Sequence, residues 1–239
     1  MNVTVDIGNT FAKVGIFEGT HLAHKEVFRS MADLRDYLGQ TPADHIIVSS
    51  VSSDPYDIFN GAVVKGKKLV LHHQLPLPIK IKYATPSTLG VDRIAAACGA
   101  QSLYPGEACL VVDIGTCINY EFIDALGTYS GGAISPGVQL RFESMHSFTS
   151  RLPLAAAVEA APLIGDSTLG CLQSGVMNGV MEEINGMMDR YAEITPQLRV
   201  ILCGGDCRFF EKHCKRPIFV APDLVLTGLN SILRYHEAS

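Results

Sequence analysis

One short pattern occurs twice in this chain, about 107 residues apart. Near the start, the alternating segment Asn2–Val5 enters Asp6-Ile7-Gly8-Asn9-Thr10. In the middle, Cys109–Val112 enters Asp113-Ile114-Gly115-Thr116. The segments after the two loops repeat as well. Phe11–Phe17 reads as a strand, Gly19 as a turn and His21–Val27 as a strand; then Ile118–Ile123, Gly127 and Thr128–Ile134 give the same order. A repeat of this length signals duplicated domains rather than a solenoid. The expected division is 1–104 and 105–239, two small halves instead of one large domain.

Strands alternate with helices in both halves, so the class is α/β. Met31–Leu38 has helical spacing, and His45–Val51 is a short β-branched run suited to a buried strand. Pro55–Val63 is expected to be a helix, Lys68–Leu71 a strand, and Gln74–Pro86, with its four prolines, extended or looped. Gly90–Leu103, Val138–His146, Ser167–Tyr191 and Pro222–Tyr235 read as helices, the last with Pro222 at its first position. Leu198–Cys203 and Ile218–Val220 read as strands.

Composition narrows the function. Apolar residues make up 47% and charged residues 18%, a globular balance. A net charge of −5 argues against a nucleic-acid partner. No apolar run is long enough to span a membrane, and MNVTVDIGNT lacks the basic and apolar regions of a signal peptide. The seven cysteines include no CxxC pair and are expected to be reduced and mostly buried. The expected setting is cytoplasmic.

The repeated loop has a specific chemistry. Glycine admits a phosphate close to the backbone, and successive N–H groups with a Thr hydroxyl donate to its oxygens. A carboxylate at the strand end repels phosphate directly but can hold a bridging cation. Lys13 adds a positive charge nearby. Gly61–Lys68 mimics a P-loop, but Lys68 stands where Ser or Thr must ligate magnesium, and a strand comes next where a helix is required. It reads as an exposed basic turn. No G-x-G-x-x-G is present.

Two further loops carry polar groups at helix starts. In Gly90-Val91-Asp92-Arg93, Asp92 can accept a hydroxyl proton and Arg93 can fork onto a carboxylate. Equally, an Asp there simply favours the helix dipole. In Gly204-Gly205-Asp206 the glycines leave a flat surface on which an adenine can lie, and Asp206 can act as an N-cap.

Taken in order, Asp6–Thr10, Gly90–Arg93, Asp113–Thr116, Gly131-Gly132-Ala133-Ile134-Ser135-Pro136-Gly137 and Gly204–Asp206 resemble the type III pantothenate kinase family over essentially the whole chain. That family belongs to the acetate and sugar kinase/Hsp70/actin superfamily. The resemblance implies two duplicated ribonuclease-H-like halves, each a mixed sheet with helices, and an ATP cleft between them. It implies ATP-dependent phosphorylation of pantothenate, the first step of coenzyme A synthesis. It also implies a homodimer and a monovalent cation, potassium or ammonium.

Position by position, the resemblance makes Asp6, Ile7, Gly8, Asn9, Thr10, Phe11, Ala12 and Lys13 the first ATP loop, with Thr116 contacting ATP from the second. Asp113 would coordinate the monovalent cation, and Asp6 would hold Mg2+ through water. Gly90, Val91, Asp92 and Arg93 would bind pantothenate, with Asp92 as proton acceptor and Arg93 on the substrate carboxylate. Tyr83 matches a pantothenate-contacting Tyr, and Thr168 a Thr that reaches pantothenate from the partner subunit. Asn119 departs from the Thr common at that place. On residues alone, a regulatory module on the same fold and a kinase for another small hydroxylated substrate also stay open. Asp6, Asp92 and Asp113 favour an enzyme, and Tyr83 with Gly90–Arg93 favours pantothenate only through the resemblance.

Overall fold

A computed structural model describes residues 1–52 and 54–238. The chain forms two compact units. The first comprises Met1–Gly106, Ile123–Ser130 and Asp223–Ser239; the second comprises Glu107–Phe122 and Gly131–Pro222.

In the first unit, β1 (Asn2–Ile7), β2 (Ala12–Glu18) and β3 (His21–Phe28) form an antiparallel meander. After α1 (Met31–Gln40), β4 (His45–Ser50) and β5 (Lys68–Val70) add parallel strands, giving the order β3-β2-β1-β4-β5. Central β1 is buried on both faces by Val3, Val5, Ile7 and Thr4. The edge strand β3 points His24, Lys25 and other exposed residues outward, which discourages further strand pairing. Helix α1 starts because the Ser30 hydroxyl accepts from the Ala32 and Asp33 N–H groups, and it buries Leu34 and Leu38.

The second unit repeats this plan. Its strands β7 (Cys109–Ile114), β8 (Cys117–Ile123), β9 (Thr128–Pro136), β10 (Arg199–Cys203) and β11 (Phe219–Val220) have the order β11-β10-β7-β8-β9. A short strand, β6 (Lys80–Ile81), pairs in parallel with Thr128–Tyr129, the start of β9, which belongs with β6 to the first unit. Strands β1 and β7 match residue for residue in burial, and in each only the aspartate is not fully buried. The helices here are α3 (Val138–Ser147), α4 (Thr168–Ile194) and the short α5 (Cys207–Phe210). On α4, Leu172, Val176, Val180, Ile184 and Met188 make one buried stripe against β7 and β10 residues such as Leu110 and Leu202. This duplication is that of two ribonuclease-H-like halves.

Helices α2 (Val91–Leu103) and α6 (Leu224–Glu237) pack together in the first unit. Their backbones nearly touch. A Cβ on Gly228 would lie 1.8 Å from the Ala95 carbonyl oxygen, and one on Gly99 would lie 2.5 Å from that of Leu224. Asn230 also donates to the Gly19 carbonyl at 2.9 Å. The last helix therefore joins the unit that begins the chain, whereas division by the repeat places it with residues 105–239.

Other elements differ from expectation locally. Pro55–Val63 is a 3-10 turn over Pro55–Phe59, capped by Asp54, and not a longer helix. The closing helix begins at Leu224, so Pro222 lies before it and not at its first position. Gly131 and Gly132 lie within β9, the strand expected over Thr128–Ile134. A Cβ on Gly132 would fall 1.6 Å from the Tyr120 carbonyl oxygen, so strand contact explains that glycine. None of the seven cysteines is disulfide-bonded, and Cys171 is exposed. Among the described residues no helix is long and apolar enough to cross a membrane.

Candidate active site

In the first unit the site begins at the end of β1. Asp6 pairs in register with Lys13 on β2 and with Ser49 on β4. The Ser49 hydroxyl donates to Asp6 Oδ1 at 2.9 Å. Beyond the strand, Gly8 N–H donates to the Phe11 carbonyl at 3.0 Å, which folds the chain so that Asn9 and Thr10 form an exposed tip. Ser52 Oγ steadies the turn by donating to the Gly8 carbonyl at 2.9 Å. Arg29 lies 5.2 Å from the centre of the Phe11 ring, a cation–π contact. It brings a second positive charge to the loop beside Lys13.

Burial raises the Asp6 carboxyl above the usual carboxylate range. The Ser49 hydrogen bond and the Lys13 charge pull the other way, and the charge of Asp92 adds to the rise. Asp92 sits in the first turn of α2, where Oδ1 accepts from the Arg93 N–H at 2.9 Å. That carboxylate folds back over Gly90, where a Cβ would meet Oδ1 at 2.5 Å. Glycine is therefore the residue that leaves Asp92 this conformation.

Arg93 is only 8% exposed, unusual for a guanidinium. Its Cζ lies 5.9 Å from the centre of the Tyr83 ring, and Tyr83 packs at 6.2 Å on the fully buried Tyr129. Asp6, Lys13, Tyr83, Gly90, Asp92 and Arg93 thus belong to one unit. Ser49, Arg29 and Tyr129 join them and were not singled out by motif.

The second loop is built in the second unit. Gly115 N–H donates to the Cys117 carbonyl at 3.0 Å, and Gly137 N–H to the Thr116 carbonyl at 2.9 Å, with Thr116 exposed. Two glycines let other segments seat on it. A Cβ on Gly137 would lie 2.0 Å from the Gly115 oxygen. Gly204 has φ +86°, and a Cβ there would lie 2.3 Å from Asp113 Oδ1. Gly204 therefore packs against the Asp113 loop, while Gly205 faces open space. Asp206 occupies the N-cap position of α5 without a side-chain cap bond, and burial raises its carboxyl. Its N–H instead donates to the Ile114 carbonyl at 3.0 Å.

Thr168 opens α4, after Ser167 Oγ caps the Gly170 N–H at 3.1 Å. It lines a cavity of about 530 Å³ together with Arg141, Ser144, Leu152, Cys171 and Gly175.

A family model described as type III pantothenate kinase matches residues 2–190. A protein of that description from Cytophaga hutchinsonii is 40% identical over 236 residues, covering 99% of this chain and 100% of that protein. The chain belongs to the type III pantothenate kinase family. The matched stretch contains both Asp-Gly-Thr loops, Asp92 and Thr168 of this kinase. Solved structures agree on the fold. The conserved putative Baf family transcriptional activator from Campylobacter jejuni superposes with a TM-score of 0.64 at 20% identity, covering 99% of this chain and 100% of that one. The activator of 2-hydroxyisocaproyl-CoA dehydratase from Clostridium difficile, solved with bound ADPNP, gives 0.53 at 13%, covering 98% and 93%. The kinase thus shares its fold with these two structures.

Proposed function

We propose that this type III pantothenate kinase transfers the γ-phosphoryl group of ATP to the primary hydroxyl of pantothenate. The product is 4′-phosphopantothenate, and the reaction is the first step of coenzyme A synthesis. The observation that carries the reading is the grouping of Asp6, Lys13, Asp92 and the nearly buried Arg93 in one unit of a chain whose family is established.

Arg93 binds the pantothenate carboxylate, braced by Tyr83, and Gly90 and Val91 line the substrate beside it. Asp92 accepts the proton as the substrate O–H bond breaks and the new O–P bond forms; ADP leaves with the electrons of the broken P–O bond. Asn9, Thr10 and the neighbouring N–H groups of the Asp6–Lys13 loop hold the ATP phosphates, with Lys13 offsetting their charge, and Thr116 donates from the second loop. Catalysis is then mainly positioning and charge neutralisation.

A divalent cation suits Asp6, because a buried carboxyl raised further by Asp92 is stabilised as carboxylate by a nearby positive charge. Bound there through water, Mg2+ would neutralise phosphate charge. Asp113 would hold a monovalent cation, potassium or ammonium; Gly204 backs onto both its Oδ1 and the Ile114 carbonyl oxygen, which supports oxygen ligation there. The working form is a homodimer in which Thr168 completes the partner's pantothenate site. Exposed Leu163, Ile164 and Leu169, flanking the start of α4, support an apolar interface there. The enzyme works in the cytoplasm.

The test is ADP release with pantothenate, pantetheine and simple sugars as acceptors, in potassium and in a large organic cation. Turnover on pantothenate in potassium is expected. Equal turnover on a sugar would overturn the substrate, and equal rates in the two cations would overturn the role of Asp113.

A further inference from the structure

Three side chains in the second unit converge on one carboxylate. Glu183, on α4, accepts from Tyr120 O–H at 3.0 Å through Oε1 and from Ser135 Oγ at 3.1 Å through Oε2. Arg141 pairs with the same Oε2. The guanidinium also donates from Nε to the Pro136 carbonyl at 2.8 Å and from Nη2 to Ser135 Oγ at 2.9 Å. These residues come from β8, β9, α3 and α4, so one acidic group ties four elements.

The location gives the cluster a consequence. Ser135 and Pro136 are both gripped, and the next residue is Gly137. Gly137 N–H donates to the Thr116 carbonyl, and its Cα backs so closely onto the Gly115 oxygen that a Cβ would not fit. Any slip of the β9–α3 junction must therefore move the Gly115–Thr116 turn. Arg141 stands a turn from the N-terminus of α3, where the helix dipole disfavours a cation, so Glu183 also compensates that charge. Arg141 and Glu183 side chains are 22% and 27% exposed, dry enough for the pair to resist screening by salt.

We propose that Glu183 is a positioning residue for the nucleotide. Through Ser135, Arg141 and Gly137 it holds the loop that presents Thr116. This rests on the reading of Thr116 as an ATP contact.

A double-mutant cycle on the full-length enzyme tests it. Steady-state KM for ATP and for pantothenate is measured for wild type, Glu183→Gln, Thr116→Ala and the double variant, with Tyr120→Phe as a milder change. Coupling between contacting elements predicts that Glu183→Gln raises the KM for ATP about tenfold in the wild-type background and less than about twofold in Thr116→Ala. Tyr120→Phe is expected to move the KM for ATP in the same direction, by about twofold to threefold. The KM for pantothenate stays nearly level. A general structural defect would instead multiply through both backgrounds, and that result overturns the proposal. So does an unchanged KM for ATP in Glu183→Gln when Thr116→Ala is impaired. If Thr116→Ala itself is silent, the nucleotide assignment of Thr116 falls and takes the proposal with it. Should Glu183→Gln fail to fold, Tyr120→Phe in the two backgrounds decides by the same criterion.

Discussion

The charge of Asp92 bears on Asp6 and helps burial to hold the Asp6 carboxyl above its ordinary range. The folded protein thus binds the Asp6 proton more tightly than the unfolded chain does. Between the ordinary value of 3.8 and the raised folded value, stability falls as pH rises. Asp6→Asn removes this loss and keeps an oxygen to accept from Ser49. The variant is expected to melt above wild type at pH 7.5, with the difference vanishing as pH approaches 4, while turnover collapses. Thermal denaturation across that range checks it. A variant that melts lower at pH 7.5 would show that Asp6 is satisfied by its partners.

Asp92→Asn separates binding from chemistry. The amide still accepts from the Arg93 N–H but takes no proton from substrate. General-base removal costs about 10²–10⁴ in kcat. The affinity for ATP should stay within about twofold, because loss of a base leaves nucleotide contacts in place. Single-turnover rates with nucleotide binding measured alongside decide the matter. A wild-type rate would sink the assignment of the base.

The glycines of the helices make opposite predictions at two sites. On Gly228 a Cβ would drive into the Ala95 carbonyl, whereas Gly186 in α4 is exposed with no heavy atom within 4 Å. Gly228→Ala should cost about 1–3 kcal/mol or more through overpacking. Gly186→Ala should gain about 0.5–1 kcal/mol by restricting the unfolded chain. Denaturant melts of the two variants are expected to shift in opposite directions.

These glycines also mark where sequence reading succeeds and where it stops. The duplication was legible because each of β1 and β7 ends in the same Asp-Ile-Gly turn and is followed by strand, glycine turn and strand. Loop glycines next to those aspartates were legible for the same reason. Gly132 stands in a motif of the resemblance, yet strand contact accounts for it, because a glycine needed for close packing looks identical in sequence to one needed by a ligand. The placement of α6 depends on Gly99 meeting Leu224, a contact that no local pattern encodes. Strand β6 is two residues long within a proline-rich stretch, too short for alternation to register. Ser49 becomes a partner of Asp6 only through sheet register, and nothing in a serine at the end of an apolar run announces it. The site was therefore visible where one segment carries the chemistry and hidden where two segments share it.

Arg93 offers the sharpest probe of substrate recognition. Its guanidinium is nearly buried and lies over Tyr83, so planarity and the fork of donors both matter. Arg93→Lys keeps the charge but loses the paired hydrogen bonds and much of the ring contact. The KM for pantothenate is expected to rise about tenfold or more, as loss of a charge-assisted pair costs about 1.5–3 kcal/mol. The KM for ATP should hold. Tyr83→Phe retains the ring against Arg93 and Tyr129, so it should cost far less than Arg93→Lys; Tyr83→Ala, which removes the brace, should approach it. Initial rates over a grid of both substrates give the two KM values independently. A shift confined to ATP would place Arg93 on the nucleotide and not on the pantothenate carboxylate.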